Sequence, residues 1–343
     1  MRVLLVRTSA MGDIVHCLPV LQALRRARPD VTVGWVAEAV WSRLLDGHPS
    51  IDSLIRVRTK AWRRNWLAAD HRAEIADAVG AMRAFRPDVA IDLMGNFKGA
   101  LLARLSKAPR VIGARREDRR EAASARLMTE TVATPGPHAI DRALSLLAPL
   151  GIESPSPIDL GGSDLLVEPP EAKRPALDAL DADPRPLVLI QAGAGWVNKQ
   201  YPVAWWGEVA CALVADGCDV AVLSAPGEEA LAASVAAAAD GRARIIDATD
   251  FAFFAALCRR AALLLGGDTG PLHLAHALGT PVVSLIGPTD PERNGPYGAL
   301  DRVLFHELPC SRCYKRFDGP RACLLSIPPR TVVERAREVL AAH

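Results

Sequence analysis

Short apolar runs alternate with stretches of helical period along almost the whole chain, and the alternation predicts strand, loop and helix repeated many times. Residues 3–6 form a run of buried-strand character, and Leu18, Leu21 and Leu24 then recur at helical spacing until Arg28-Pro29-Asp30 breaks the period. A strand follows at 31–36, an amphipathic helix at 75–85, a strand at 89–93 and another at 110–113. Beyond residue 186 the pattern restarts, with strands at 187–191, 219–223, 243–246, 262–265 and 281–286. Helical stretches at 205–216, 228–239, 251–260 and 271–278 separate them. Strands that alternate with helices imply βαβ units and parallel sheets, hence an α/β fold.

Between the two halves the period is lost. Prolines fall at 155, 157, 169, 170, 175, 184 and 186, around Gly161-Gly162, the composition of a connecting segment. The expected organisation is an N-terminal Rossmann-like domain over 1–160, a linker over 161–186 and a second Rossmann-like domain over 187–328. A last helix within 329–343, after Pro328-Pro329, is expected to pack back on the first domain. Ligands of open α/β sheets lie beyond the carboxyl ends of the strands, so a cleft between two such domains is the default site.

A chain of 343 residues is long for one core and comfortable for two. Its net charge of +2 conceals a split. Residues 1–150 hold 24 basic against 15 acidic side chains, a surplus of +9, and the remainder holds 17 against 24, a balance of −7. An anionic ligand is therefore expected at the first half, whereas a nucleic-acid binder would be basic throughout. The opening Met1-Arg2-Val3-Leu4-Leu5-Val6-Arg7 is too short for a signal peptide, and no run approaches the roughly 20 apolar residues of a membrane span. A cytoplasmic protein is expected. Of seven cysteines, Cys17, Cys211, Cys218 and Cys258 are scattered singly, as reduced thiols are. Cys310, Cys313 and Cys323 form C-x2-C-x9-C, which lacks a fourth cysteine for a tetrahedral metal, with His306 upstream as the candidate to complete it. A plain cysteine-bearing loop is the favoured reading, and no metal is assigned.

The strongest chemical signal is the strand, turn and helix start at Leu265-Gly266-Gly267-Asp268-Thr269-Gly270-Pro271. Thr269 suits an N-cap, Pro271 the first helical turn, and free amides at such a start attract phosphate. Asp268 is placed to accept from a sugar hydroxyl and His273 to donate to phosphate; alternatively they only cap and pack. Lys199 ends a Gly-rich loop after a strand, as a diphosphate-binding ammonium or a solvated one. Glu228 or Glu229 opens a helix, as a ribose ligand or a first-turn carboxylate. In the first half the loop after the first strand lacks G-x-G-x-x-G and instead carries Asp13, either a general base or a turn aspartate. Basic residues cluster from Arg56 to Trp66, including Lys60, Arg63 and Arg64, and again from Arg104 to Arg120; they clamp an anionic acceptor or form a solvated face.

Taken together, the segments V-R-T-S-A-M-G-D-I-V-H-C-L-P and G-D-T-G-P-L-H-L-A-H-A-L-G-T-P-V-V-S-L-I-G-P-T-D-P resemble glycosyltransferase family 9, the ADP-heptose:lipopolysaccharide heptosyltransferases. Lys60-Ala61-Trp62-Arg63-Arg64 is most similar to the branch that adds the first heptose to Kdo-lipid A. The resemblance implies a GT-B fold, two doubly wound Rossmann-like domains facing a central cleft, and inverting transfer from ADP-heptose without a cofactor or metal. It implies Asp13 as catalytic base and Lys199, Glu228, Asp268, Thr269, Gly270 and His273 as donor ligands. Lys60, Arg63, Arg64 and Arg120 are the implied acceptor ligands. The partners implied are ADP-heptose and the anionic lipopolysaccharide inner core at the inner-membrane surface, with a monomeric protein. The C-x2-C cluster is more similar to other branches, which modify proteins and bind iron through four cysteines. The alternatives that remain are another nucleotide sugar or acceptor, or a nucleotide-binding homologue without activity.

Overall fold

The structure, a computed structural model, describes all residues except 66, 166, 167, 319–321 and 343. Trp66, the last member of the first basic cluster, lies outside the described residues. The chain divides into two compact units, Met1–Leu166 and Val167–His343. The first holds β1 (Arg2–Val6), β2 (Thr32–Glu38), β3 (Ser53–Val57), β4 (Val89–Asp92), β5 (Arg110–Ala114) and β6 (Glu130–Val132). They form one parallel sheet in the order β3-β2-β1-β4-β5-β6. The second holds β7 (Leu187–Gln191), β8 (Asp219–Ser224), β9 (Arg244–Asp247), β10 (Leu263–Gly267), β11 (Val282–Ile286) and β12 (Val303–Phe305). Its order is β12-β11-β10-β7-β8-β9, again parallel.

Counted from its own first strand, each sheet has the doubly wound order. The order reverses between β1 and β4 in one unit and between β7 and β10 in the other, the points where such sheets bind ligands. Central strands are apolar throughout because helices cover both faces. In the first unit Leu4, Val6, Val36 and Ala90 pack on Met82 of the Ala69–Ala84 helix and Leu102 of the Phe97–Leu105 helix. In the second, Val188, Ile190, Leu265 and Val283 pack on Trp206 and Leu213 of the Val203–Ala215 helix. Among the described residues no helix is long and apolar enough to cross a membrane.

One boundary differs from the sequence expectation. Residues 161–186 are not a free linker. Gln22 Nε2 donates to Asp164 Oδ2 at 2.7 Å and Leu165 is buried, which builds this stretch's start into the first unit. Arg174–Asp181 is a helix of the second unit, started by Pro175 and tied by an Arg260–Asp181 ion pair at 2.7 Å. Pro170 and Pro175 begin short helical turns. The last helix, Pro329–Ala341, is part of the second unit: Val332, Val333, Ala336 and Val339 belong to that unit's core. Its apolar stripe is satisfied beside the Val203–Ala215 helix and strands β10 and β11.

One buried ion pair fixes the loops beyond β4 and β5. Arg119 Nη2 donates to Asp92, and both side chains are 0% exposed. Arg119 Nε donates to Ser124 Oγ at 2.8 Å, and the Met94 amide donates to Asp92 Oδ1 at 3.0 Å. Gly99 and Gly113 leave room for the pair: a Cβ there would lie 2.3 Å from Asp92 Oδ1 and 2.6 Å from Arg119 Nη1, respectively. Removing one partner of such a pair strands the other charge. Arg119→Ala is expected to cost about 3–5 kcal/mol in denaturant unfolding.

Candidate active site

Arg7 and Asp13 organise the carboxyl end of β1. Arg7 Nη1 donates to the Leu93 carbonyl just beyond β4, across the point where the strand order reverses. Its Nη2 lies 2.6 Å from Asp13 Oδ2, which also accepts from the Ala10 amide at 3.1 Å. Asp13 sits in the short Met11–Val15 helix, with its side chain 49% exposed. Among the described residues nothing donates to its other oxygen. One carboxylate oxygen is thus anchored and the other is left to accept a proton.

Glu38, at the end of β2, accepts from Thr59 Oγ1 at 2.7 Å and from the Lys60 amide at 3.1 Å, which fixes the start of the Thr59–Arg64 helix. Trp62 anchors that helix by donating to Glu74 Oε2 at 2.9 Å. Lys60, Arg63 and Arg64 remain exposed, with no ion pair among the described residues. The neighbours Arg56 and Arg58 are paired, with Asp46 and Glu74. Arg120 is exposed beside buried Arg119, in the loop joined to the β4 end through the Glu121 amide and Gly95 carbonyl at 3.1 Å. Lys98, not singled out in the sequence, reaches towards Ser9 and Thr59.

In the second unit the candidates converge on one carboxylate. Asp268, just past β10 and 5% exposed in its side chain, accepts from Lys199 Nζ at 2.6 Å, from Thr289 Oγ1 at 2.6 Å and from His273 Nε2 at 3.0 Å. Lys199 Nζ also donates to the Asp268 carbonyl at 3.1 Å. Burial alone would raise the Asp268 pKa, but the His273 hydrogen bond and the Lys199 charge hold it well below the usual carboxylate range. The close approach needs Gly267, where a Cβ would lie 2.9 Å from the Lys199 carbonyl. Thr269 takes the N-cap position of the Gly270–Ala277 helix, but its hydroxyl makes no cap bond. Its Oγ1 is buried without a partner among the described residues. That differs from the expected capping, and leaves a polar group beside the free amides of the helix start.

Glu228 and Glu229 separate clearly. Glu229 Oε1 accepts from the Gly227 amide at 3.1 Å at the start of its own helix. Glu228 turns the other way, half-buried, and accepts from Gln191 Nε2 at 3.0 Å. Burial pushes its pKa up, with the Gln191 hydrogen bond opposing. It lies over Gly193, where a Cβ would be 2.0 Å from the carboxylate. The Gly-rich loop after β7 is therefore shaped around Glu228. Cys310, Cys313 and Cys323 are free thiols, and among the described residues no three His, Cys, Asp or Glu side chains gather as metal ligands.

Comparison with known proteins identifies the family. The profile of Glycosyltransferase family 9 (heptosyltransferase) matches residues 78–320. The chain is 31% identical to Lipopolysaccharide heptosyltransferase 1 of Pseudomonas aeruginosa over 318 residues, which is 92% of this chain and 87% of that protein. The chain belongs to glycosyltransferase family 9. It is an enzyme, a glycosyltransferase. The solved structure of E. coli heptosyltransferase WaaC with ADP matches at TM-score 0.81 and 24% identity, covering 99% of this chain and 100% of that one. The same enzyme with ADP-2-deoxy-2-fluoro heptose matches at TM-score 0.80 and 25% identity, over 98% and 99%. The two doubly wound units are the GT-B fold that the sequence led us to expect.

Proposed function

We propose that this family 9 glycosyltransferase transfers heptose from ADP-L-glycero-β-D-manno-heptose to the Kdo inner core of lipopolysaccharide, with inversion and with Asp13 as general base. The observation that carries the reading is the half-exposed Asp13 carboxylate, one oxygen anchored by Arg7 and the other unpartnered, at the first strand-order reversal. Relatives named lipopolysaccharide heptosyltransferase 1 support heptose transfer to lipopolysaccharide, and the solved neighbours with ADP and ADP-2-deoxy-2-fluoro heptose support the donor.

In this reading the diphosphate lies on Lys199, His273 and the Thr269 and Gly270 amides, and Glu228 takes the ribose hydroxyls. The acceptor hydroxyl gives its proton to Asp13 as its oxygen bonds to the anomeric carbon. The bond from that carbon to the diphosphate oxygen breaks, and the electron pair leaves with ADP. The cationic and amide donors neutralise the departing charge, so we assign no metal or other cofactor. Lys60, Arg63, Arg64 and Arg120 bind the anionic core at the inner face of the cytoplasmic membrane, where an exposed basic helix is attracted to anionic lipid. The protein works there as a monomer.

A panel of nucleotide sugars, scored by released nucleotide with and without a Kdo-terminated acceptor, tests this. ADP-heptose with acceptor is expected to give the fastest release. Preference for another donor or for a protein acceptor would overturn it. Glu228 supplies a second check. A carboxyl whose folded pKa is raised destabilises the fold as pH climbs from its unfolded value through its folded one. Glu228→Gln is therefore expected to melt at or above wild type at neutral pH, the difference vanishing below about pH 4. Its ADP affinity is expected to fall about tenfold through the lost ribose bonds.

A further inference from the structure

Lys98 forms no ion pair among the described residues. It is the second residue of the Phe97–Leu105 helix, which follows β4, and its side chain is half-buried. Nζ reaches Ser9 Oγ at 3.5 Å and Thr59 Oγ1 at 3.4 Å, both long for hydrogen bonds from an ammonium. No carboxylate among the described residues pairs with it. Its nearest counter-charge, Glu38, is already bound to the Thr59 hydroxyl and the Lys60 amide. Arg7, Lys60 and Arg63 add like charge around it. Burial first, and then these cations, hold its pKa below the ordinary lysine value, with Glu38 opposing.

A partly desolvated ammonium crowded by other cations is unfavourable until an anion arrives. The Thr59 hydroxyl proton is committed to Glu38. The Ser9 hydroxyl donates to nothing among the described residues, and Ser9 lies four residues before Asp13, just ahead of its helix. We propose that Lys98 and the Ser9 hydroxyl bind the carboxylate of the acceptor sugar, and so set the acceptor hydroxyl against Asp13. This rests on the acceptor reading above. It separates the basic residues by role: exposed Lys60, Arg63 and Arg64 collect the anionic core, while recessed Lys98 reads a single carboxylate.

The test is steady-state kinetics of the full chain with ADP-heptose and a soluble Kdo-terminated acceptor, beside the same acceptor with its carboxyl reduced to an alcohol. Wild type is expected to lose about tenfold or more in kcat/KM on the alcohol, as a charge-assisted hydrogen bond is lost. Lys98→Gln is expected to lose a similar factor on the carboxylate acceptor, through acceptor KM, and to treat the two acceptors alike. Donor KM should not move, and Lys98→Arg should restore much of the loss. Ser9→Ala should narrow the discrimination without abolishing it, which decides the matter if Lys98→Gln fails to melt cooperatively. Lys98→Gln that still discriminates as wild type does, or that raises donor KM instead, would overturn the proposal. Wild type that transfers to neither acceptor would overturn the acceptor reading itself, a different failure from an unchanged discrimination.

Discussion

Asp13→Asn is expected to lower kcat by about 10²–10⁴-fold, the usual contribution of a positioned general base, while ADP affinity stays at the wild-type value. The asparagine keeps the shape of the side chain and still accepts from the Ala10 amide, but it cannot take a proton. ADP affinity should hold because every proposed donor ligand belongs to the other unit, Val167–His343. Isothermal titration with ADP and single-turnover transfer would be measured on the same preparation. Loss of turnover with intact ADP binding is the expected outcome. Near-normal turnover would remove Asp13 from the chemistry and leave it as a partner of Arg7.

Asp268→Asn is expected to lower stability and ADP affinity together. Its carboxylate is the common acceptor for Lys199, His273 and Thr289. Replacing it leaves the partly buried Lys199 ammonium uncompensated, at about 3–5 kcal/mol, and frees Lys199 from the position proposed for the diphosphate. ADP affinity should fall along with the melting temperature. The pH dependence has a definite sign. A carboxyl held below its unfolded pKa stabilises the fold above that unfolded value, near pH 4, and the contribution is lost as pH falls towards the folded value. The wild type should therefore lose stability on acidification below about pH 4, and Asp268→Asn should lose less over the same interval. Melting curves from neutral to acid pH would show it; parallel wild-type and variant curves would place the stabilisation elsewhere.

The central strands were legible in the sequence because they are buried on both faces and read as unbroken apolar runs, as in Leu187-Val188-Leu189-Ile190. Of the four edge strands only β9 was, read at 243–246; β3, β6 and β12 were not. β6 is only Glu130-Thr131-Val132, partly exposed, and β3 carries Ser53 and Arg56, so neither shows a run or a clean alternation. The Gly267–Gly270 start was legible for a local reason: strand, glycines and helix are contiguous, and the geometry of the helix start is built within a few residues. What stayed hidden was pairing over distance. That Thr289 donates to Asp268, that Gln191 holds Glu228, and that Lys98 sits beside Ser9 follow only from parallel strands bringing separate loops together. The buried Asp92–Arg119 pair was hidden in the same way, with Arg119 indistinguishable in sequence from exposed Arg120.

The central claim, inverting heptose transfer to a Kdo acceptor, is tested most directly by the product. Wild-type protein, ADP-L-glycero-β-D-manno-heptose and a Kdo-terminated acceptor would be incubated, and the product read by mass and by NMR of its new anomeric centre. Addition of a single heptose in the α configuration, with ADP released in equal amount, is the result this account requires. A retained β configuration, or ADP release without any gain in acceptor mass, would contradict it.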